Sequence, residues 1–176
     1  MRSKARHCIA LIGPRGSGKS ELGARLAAKR ARPFFDLDRE IELAQGRTIR
    51  ALFEGEGEAA FRKIEAETLE GVIVRPGIVL APGGGAILRD ESRRLLKRAS
   101  FCVFLDVATD ELAARLAAGP ERPRLTDLPF ADEIRELARR RRPLYLECAD
   151  AIVTVAGGES VEESLRRLDE VVPTED

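Results

Sequence analysis

The sequence predicts an α/β domain with three layers: a mostly five-stranded parallel sheet flanked by helices, plus a lid segment. Three observations predict it. Short apolar runs recur along the chain, separated by amphipathic stretches. The runs have the length and pattern of buried strands, and the stretches have helical spacing. Strands that alternate with helices build parallel βαβ units, whose sheet is covered on both faces. With 176 residues, 44% of them apolar, the chain has the size of one compact domain, taken here as 1–176.

In order, HCIALI (7–12) reads as the first strand and ELGARLAAKRA (21–31) as the helix behind it. PFFDLD (33–38) is a short strand ending in carboxylates, and REIELAQG (39–46) a helix stopped at Gly46. Residues 48–74 carry one short and one long helix, and GIVLAPGGG (77–85) is a buried strand entering a glycine loop. ESRRLLKRA (91–99) is a helix, SFCVFLDV (100–107) a strand, and TDELAARLAA (109–118) a helix with Thr109 placed as its N-cap. Residues 118–130, the longest irregular segment, have the length of a lid. FADEIRELARRRRPLYLECA (130–149) is a long helix that Pro143 should end or kink. DAIVTV (150–155) is the last strand and SVEESLRRLDEVV (160–172) the last helix.

Composition narrows the function. Thirty basic and thirty acidic side chains cancel, which argues against general nucleic-acid affinity. No stretch approaches the ~20 apolar residues of a membrane span. Three scattered cysteines without a CxxC pair fit buried thiols in a reducing cytoplasm. His7 is the sole histidine, so a histidine-based metal cluster or triad has no second member.

The strongest motif is GPRGSGKS, residues 13–20, between a strand and a helix. It satisfies GxxxxGK[ST] in the required context, which identifies a phosphate-binding P-loop and the P-loop NTPase fold. Backbone amides of Gly13, Pro14, Arg15, Gly16, Ser17 and Gly18 (proline aside) and the helix N-terminus surround a phosphate chain. Lys19 bridges its terminal phosphates and the Ser20 hydroxyl ligates Mg²⁺. Glu21, in the first helical turn, points outward. The chain therefore binds a nucleoside triphosphate, with Mg²⁺ as cofactor, but this loop alone names no acceptor.

Four other features point to a small acidic acceptor. Asp36 and Asp38 sit at a strand's carboxyl end, where α/β sheets bind ligands. Alternation turns both the same way, one for hydrated Mg²⁺ and one for a hydroxyl proton. Arg62 and Glu65 lie three apart on one helix face, an arrangement in which Glu65 fixes an arginine fork for a carboxylate. Gly83, Gly84 and Gly85 permit close backbone approach to a ligand. Arginines in ERPRL and RRRRPLY lie in the lid and on the long helix.

In this order the motifs resemble those of the shikimate kinase family, from about residue 9 to residue 148. The resemblance implies ATP and shikimate as substrates, giving shikimate 3-phosphate and ADP. It implies that Asp36 assists Mg²⁺ and that Asp38 binds the acceptor hydroxyls and serves catalysis. It sets Arg62 and Arg141 on the acceptor carboxylate, with Glu65 nearby and Gly83 to Gly85 as the acceptor loop. It makes Arg122 the lid arginine on the transferring phosphoryl group and Arg115 the residue packed against adenine. Helices over about 37–70 would bind the acceptor. Ala81 departs from the family's usual serine near the metal, and Arg124 and Glu21 from its common residues. A monomer is expected. A related kinase acting on gluconate or a nucleotide, or a catalytically silent shikimate-sensing domain, are the alternatives.

Overall fold

The computed structural model describes residues 8–118 and 126–174. His7, Arg122 and Arg124 lie outside the described residues. Five parallel strands form one sheet: β1 (Cys8–Ile12), β2 (Phe34–Asp36), β3 (Ile78–Ala81), β4 (Ser100–Val107) and β5 (Ala151–Val155), in the spatial order β2-β3-β1-β4-β5. Among the described residues seven α-helices flank it: α1 (Lys19–Lys29), α2 (Leu37–Gln45), α3 (Ile49–Ile73), α4 (Asp90–Ala99), α5 (Thr109–Ala117), α6 (Phe130–Cys148) and α7 (Val161–Val171).

The period of two along each strand splits the core in half. Cys8, Ala10 and Ile12 of β1 join Leu80 and Phe104 on one face, against buried side chains of α2, α3, α4 and the end of α6. Ile9 and Leu11 join Val79, Leu105 and Val153 on the other, against α1, α5, α7 and the start of α6. β1 and β3 are buried throughout, as central strands of a doubly covered sheet must be. The three cysteines are buried thiols outside any disulfide. Burial pushes the Cys8 thiol up to about 12 and Cys148 up to about 11, so both stay protonated and unreactive.

Local departures from the expected elements have physical causes. β2 ends at Asp36, and Asp38 lies in the first turn of α2, not on the strand. The reason is that the Asp36 carboxylate accepts from the backbone N–H of Asp38 and of Arg39, which makes it a helix N-cap. Thr109 does not cap α5; Ala108 occupies that position and no side chain caps it. α6 runs through Pro143 without ending. Gly46 terminates α2 with φ 62°, as expected. The short-and-long pair over 48–74 is one continuous path broken at Gly57 (φ 79°, ψ 172°), a conformation essentially reserved for glycine.

No heavy atom lies within 4 Å of the position a Cβ on Gly57 would take. The cost of Gly57→Ala is therefore backbone strain without a clash. We expect it to destabilise the protein by about 1–3 kcal/mol, read as a lowered urea unfolding midpoint with an unchanged slope.

Candidate active site

Strand order places three loops side by side at the carboxyl ends of β2, β3 and β1. Parallel pairing puts Asp36 beside Ala81, and β3 beside β1. The Asp36–Asp38 segment, the glycine loop Gly83–Gly85 and the phosphate loop thus meet in one region, where ligands of open α/β sheets bind.

The phosphate loop closes on itself through Lys19. Its Nζ donates to the carbonyl oxygens of Gly13 (2.9 Å) and Pro14 (2.7 Å), and lies 3.4 Å from Ser17 Oγ. An incoming phosphate oxygen would exchange with those carbonyls. Gly13, Gly16 and Gly18 all have φ between 80° and 155°, the backbone freedom such a loop uses. Ser20 Oγ donates a short hydrogen bond to Asp36 Oδ2. Glu21 points outward and pairs with Arg25 at 3.0 Å. Beyond the loop opens a cleft of about 500 Å³. Arg115 lines it, donating from Nε to Glu111 Oε1 (2.7 Å) and from Nη1 to the Gly16 carbonyl (3.4 Å).

A second, smaller pocket adjoins the first and holds Asp38, Arg62, Glu65, Arg141 and the glycine loop. Each of the three glycines occupies a place where a side chain would collide. A Cβ on Gly83 would lie 2.6 Å from Glu65 Oε1 and 2.8 Å from Asp38 Oδ1; on Gly84, 3.2 Å from the Arg15 backbone nitrogen; on Gly85, 2.3 Å from Arg62 Cζ. Arg62 and Arg141, from α3 and α6, line this one pocket. Arg62 Nη1 donates to Glu65 Oε2 at 2.7 Å, and its guanidinium lies over the rings of Phe61 (5.2 Å) and Phe53 (5.8 Å). Arg141 is buried and lies 3.4 Å from the Gly84 carbonyl oxygen, which also accepts from Tyr145 Oη at 2.6 Å. Arg139, Arg140 and Arg142, by contrast, are solvent-facing, at 73%, 67% and 53% side-chain exposure. Helix geometry thus selects one arginine of four.

Three arginines (Arg15, Arg62, Arg141) and two carboxylates (Asp38, Glu65) line this pocket, and the half-exposed Glu58 also pairs with Arg62 at 3.2 Å. Glu65 is held above the usual carboxylate range. Burial is the main cause, and Arg62 opposes it. Its Oε1 is buried with no hydrogen-bond partner among the described residues.

Several residues here carried no role in the sequence reading. Phe53, Phe61 and Ile49 form the apolar wall of the acceptor pocket. Tyr145 is 1% exposed, stacks on Phe104 at 5.1 Å and holds the glycine loop. Glu159 and Ser164 line the far end of the nucleotide cleft. There Arg167 Nη2 donates to Glu159 Oε1 at 2.6 Å. The signal for Glu159 was its place just past the carboxyl end of β5, the ligand side of the sheet.

A P-loop, a paired carboxylate segment and a cationic pocket sharing one wall define an ATP-dependent phosphotransferase of the P-loop class. The family model for shikimate kinase matches residues 15–172. The chain is 41% identical over 145 residues to the shikimate kinase of Bordetella avium, covering 82% of this chain and 69% of that protein. It is 44% identical over 146 residues to that of Thioalkalivibrio sulfidiphilus, covering 82% and 76%. Among solved structures, the Acinetobacter baumannii shikimate kinase in complex with shikimate superposes with a TM-score of 0.88 at 34% identity, over 95% of this chain and 93% of that one. The Aquifex aeolicus enzyme gives 0.78 at 35%, over 92% and 93%. The chain belongs to the shikimate kinase family.

Because Glu65 binds its proton more tightly folded than unfolded, it should erode stability as pH rises from 4.5 through its raised value. Glu65→Gln removes that group. Denaturant melts across this window should show wild-type stability falling relative to Glu65→Gln, with the difference levelling off above the raised value. A difference that rises with pH would mean that the Arg62 contact outweighs burial.

Proposed function

We propose that this chain transfers the γ-phosphoryl group of ATP to the 3-hydroxyl of shikimate. The observation that carries this reading is the meeting of Arg62 and Arg141, from separate helices, in one pocket adjoining the phosphate loop. Two forks at one site suit a planar carboxylate better than lysines would. The arginines suit an anion, and Asp38 supplies an acceptor for hydroxyl protons. Family membership and the likeness to a shikimate-bound relative support the same reading.

The residues divide the work. Lys19 and the loop amides bind the phosphate chain. Arg115, with the cleft wall opposite it, holds the base. Arg62 and Arg141 clamp the acceptor carboxylate, and Glu65 keeps the Arg62 rotamer. Asp38 orients the attacking hydroxyl and takes its proton. Transfer is then mainly positioning plus charge stabilisation. Residues 118–130 form the lid in this reading, with Arg122 reaching the phosphoryl group and water excluded on closure.

The donor set fits Mg²⁺ with modest protein ligation. Among the described residues no group of three or more His, Cys, Asp or Glu is placed to hold a metal. The juxtaposed Ser20 hydroxyl and Asp36 carboxylate, with phosphate oxygens and water, match what this ion ordinarily uses. Bound there, it supplies positive charge to the phosphate oxygens. Ala81, buried on the cleft wall, adds no oxygen. A monomer is the proposed state. The three cysteines, outside any disulfide, support a reducing cytoplasm. No described helix is long and apolar enough to cross a membrane.

The test is coupled ADP release with shikimate, gluconate and a nucleoside monophosphate offered in turn. Only shikimate should stimulate release, and stimulation by another acceptor alone would overturn the assignment. Asp38→Asn should lower kcat by roughly 10²- to 10⁴-fold while ATP binding survives. Arg62→Ala should raise the shikimate KM by the equivalent of about 2–5 kcal/mol, with the ATP KM little changed.

A further inference from the structure

The two clefts meet at four residues. Arg15, Asp38, Gly83 and Gly84 line both the nucleotide cleft and the acceptor pocket. The other charged groups near this junction are divided between the two sides. Lys19 lines only the nucleotide side, while Arg62 and Arg141 line only the acceptor side. Among the described residues Arg15 is the only cation common to both.

Its backbone is held by contact. The Arg15 backbone nitrogen lies against Gly84, 3.2 Å from where a Cβ there would sit. The residue is half-buried and its Nε is shielded from solvent. This is not the setting of an ordinary solvated loop arginine. Nor does the phosphate-binding motif ask for one, since its third position contributes a backbone amide and accepts any side chain.

We propose that Arg15 is a catalytic residue that follows the phosphoryl group across the junction and grips it on the acceptor once transfer is complete. The proposal rests on the reaction assigned above. In that step the bond from the γ-phosphorus to its bridging oxygen breaks, and the electron pair leaves with ADP. A bond forms from phosphorus to the acceptor oxygen, and the hydroxyl proton passes to the Asp38 carboxylate. The group thereby moves from the side of the junction lined by Lys19 to the side lined by Arg62 and Arg141. A cation on the nucleotide side alone loses contact as the group moves. A guanidinium carried by a residue of the shared lining can keep it, and its planar fork suits two phosphoryl oxygens.

The experiment compares wild type, Arg15→Met and Arg15→Lys, each confirmed folded by its thermal melt. Two quantities are read: steady-state constants for ATP and shikimate, and calorimetric affinity of the ADP-loaded enzyme for shikimate 3-phosphate. Arg15→Met should lower kcat by about 10²-fold with the ATP KM held. It should weaken shikimate 3-phosphate binding by about tenfold or more while shikimate affinity changes far less. Arg15→Lys should recover part of kcat without restoring full product affinity, and it carries the test alone if Arg15→Met fails to fold. A variant that raises only the ATP KM, leaving kcat and product affinity at wild-type values, would confine Arg15 to the nucleotide and overturn the proposal. Wild-type enzyme inactive toward shikimate would instead overturn the reaction on which it rests.

Discussion

The site depends on one steric constraint: a Cβ added at any of the three glycines after β3 would meet a neighbouring atom at 3.2 Å or less. Three neighbours press on it from different parts of the chain. The phosphate loop lies against Gly84, Asp38 and Glu65 against Gly83, and the Arg62 guanidinium against Gly85. From the far side Tyr145 and Arg141 reach the Gly84 carbonyl. The nucleotide cleft and the acceptor pocket share part of their lining, Arg15, Asp38, Gly83 and Gly84. Direct phosphoryl transfer requires such closeness, because the attacking oxygen and the phosphorus must come to within about 3–3.5 Å. Topology makes it available: β3 pairs with both β1 and β2, so three loops carrying different chemistry emerge as neighbours.

Charge is distributed unevenly. Most ion pairs, such as Arg50 with Glu54 or Arg135 with Asp132, are exposed pairs on helix surfaces, which contribute little to stability. The ionisable groups withdrawn from water include Lys19, Glu65 and Arg141, which cluster around the two clefts. The formal balance of thirty against thirty therefore says nothing about the site. There Lys19 and Arg141 are kept partly dehydrated, which strengthens their attraction for anions.

Much of this was legible in the sequence because the chemistry sits at strand ends. All five strands, and the loops bearing GPRGSGKS and PGGG, follow from apolar runs and glycines. Selection of Arg141 over its three neighbours was legible only through resemblance, since the run of four arginines gives no facing direction by itself. What escaped was tertiary. Asp38 looked like a strand residue; it lies on a helix because Asp36, the last residue of β2, caps α2. Pro143 reads as a breaker, yet α6 passes through it while its buried residues Arg141, Tyr145 and Cys148 remain in the core, an example of packing overriding local propensity. Tyr145 resembled any apolar helix residue until its hydroxyl met Gly84. Glu159 became a site residue only when the last loop was seen to close the cleft.

The shared lining of the two clefts has a consequence for ligand design. Because Arg15, Asp38, Gly83 and Gly84 are shared, the two binding regions adjoin at that point. A bisubstrate compound, with a polyphosphate mimic tethered by a short linker to a cyclic carboxylate, would meet both halves of the enzyme without threading a channel. Its second half would bind at the high effective concentration that a well-matched tether confers.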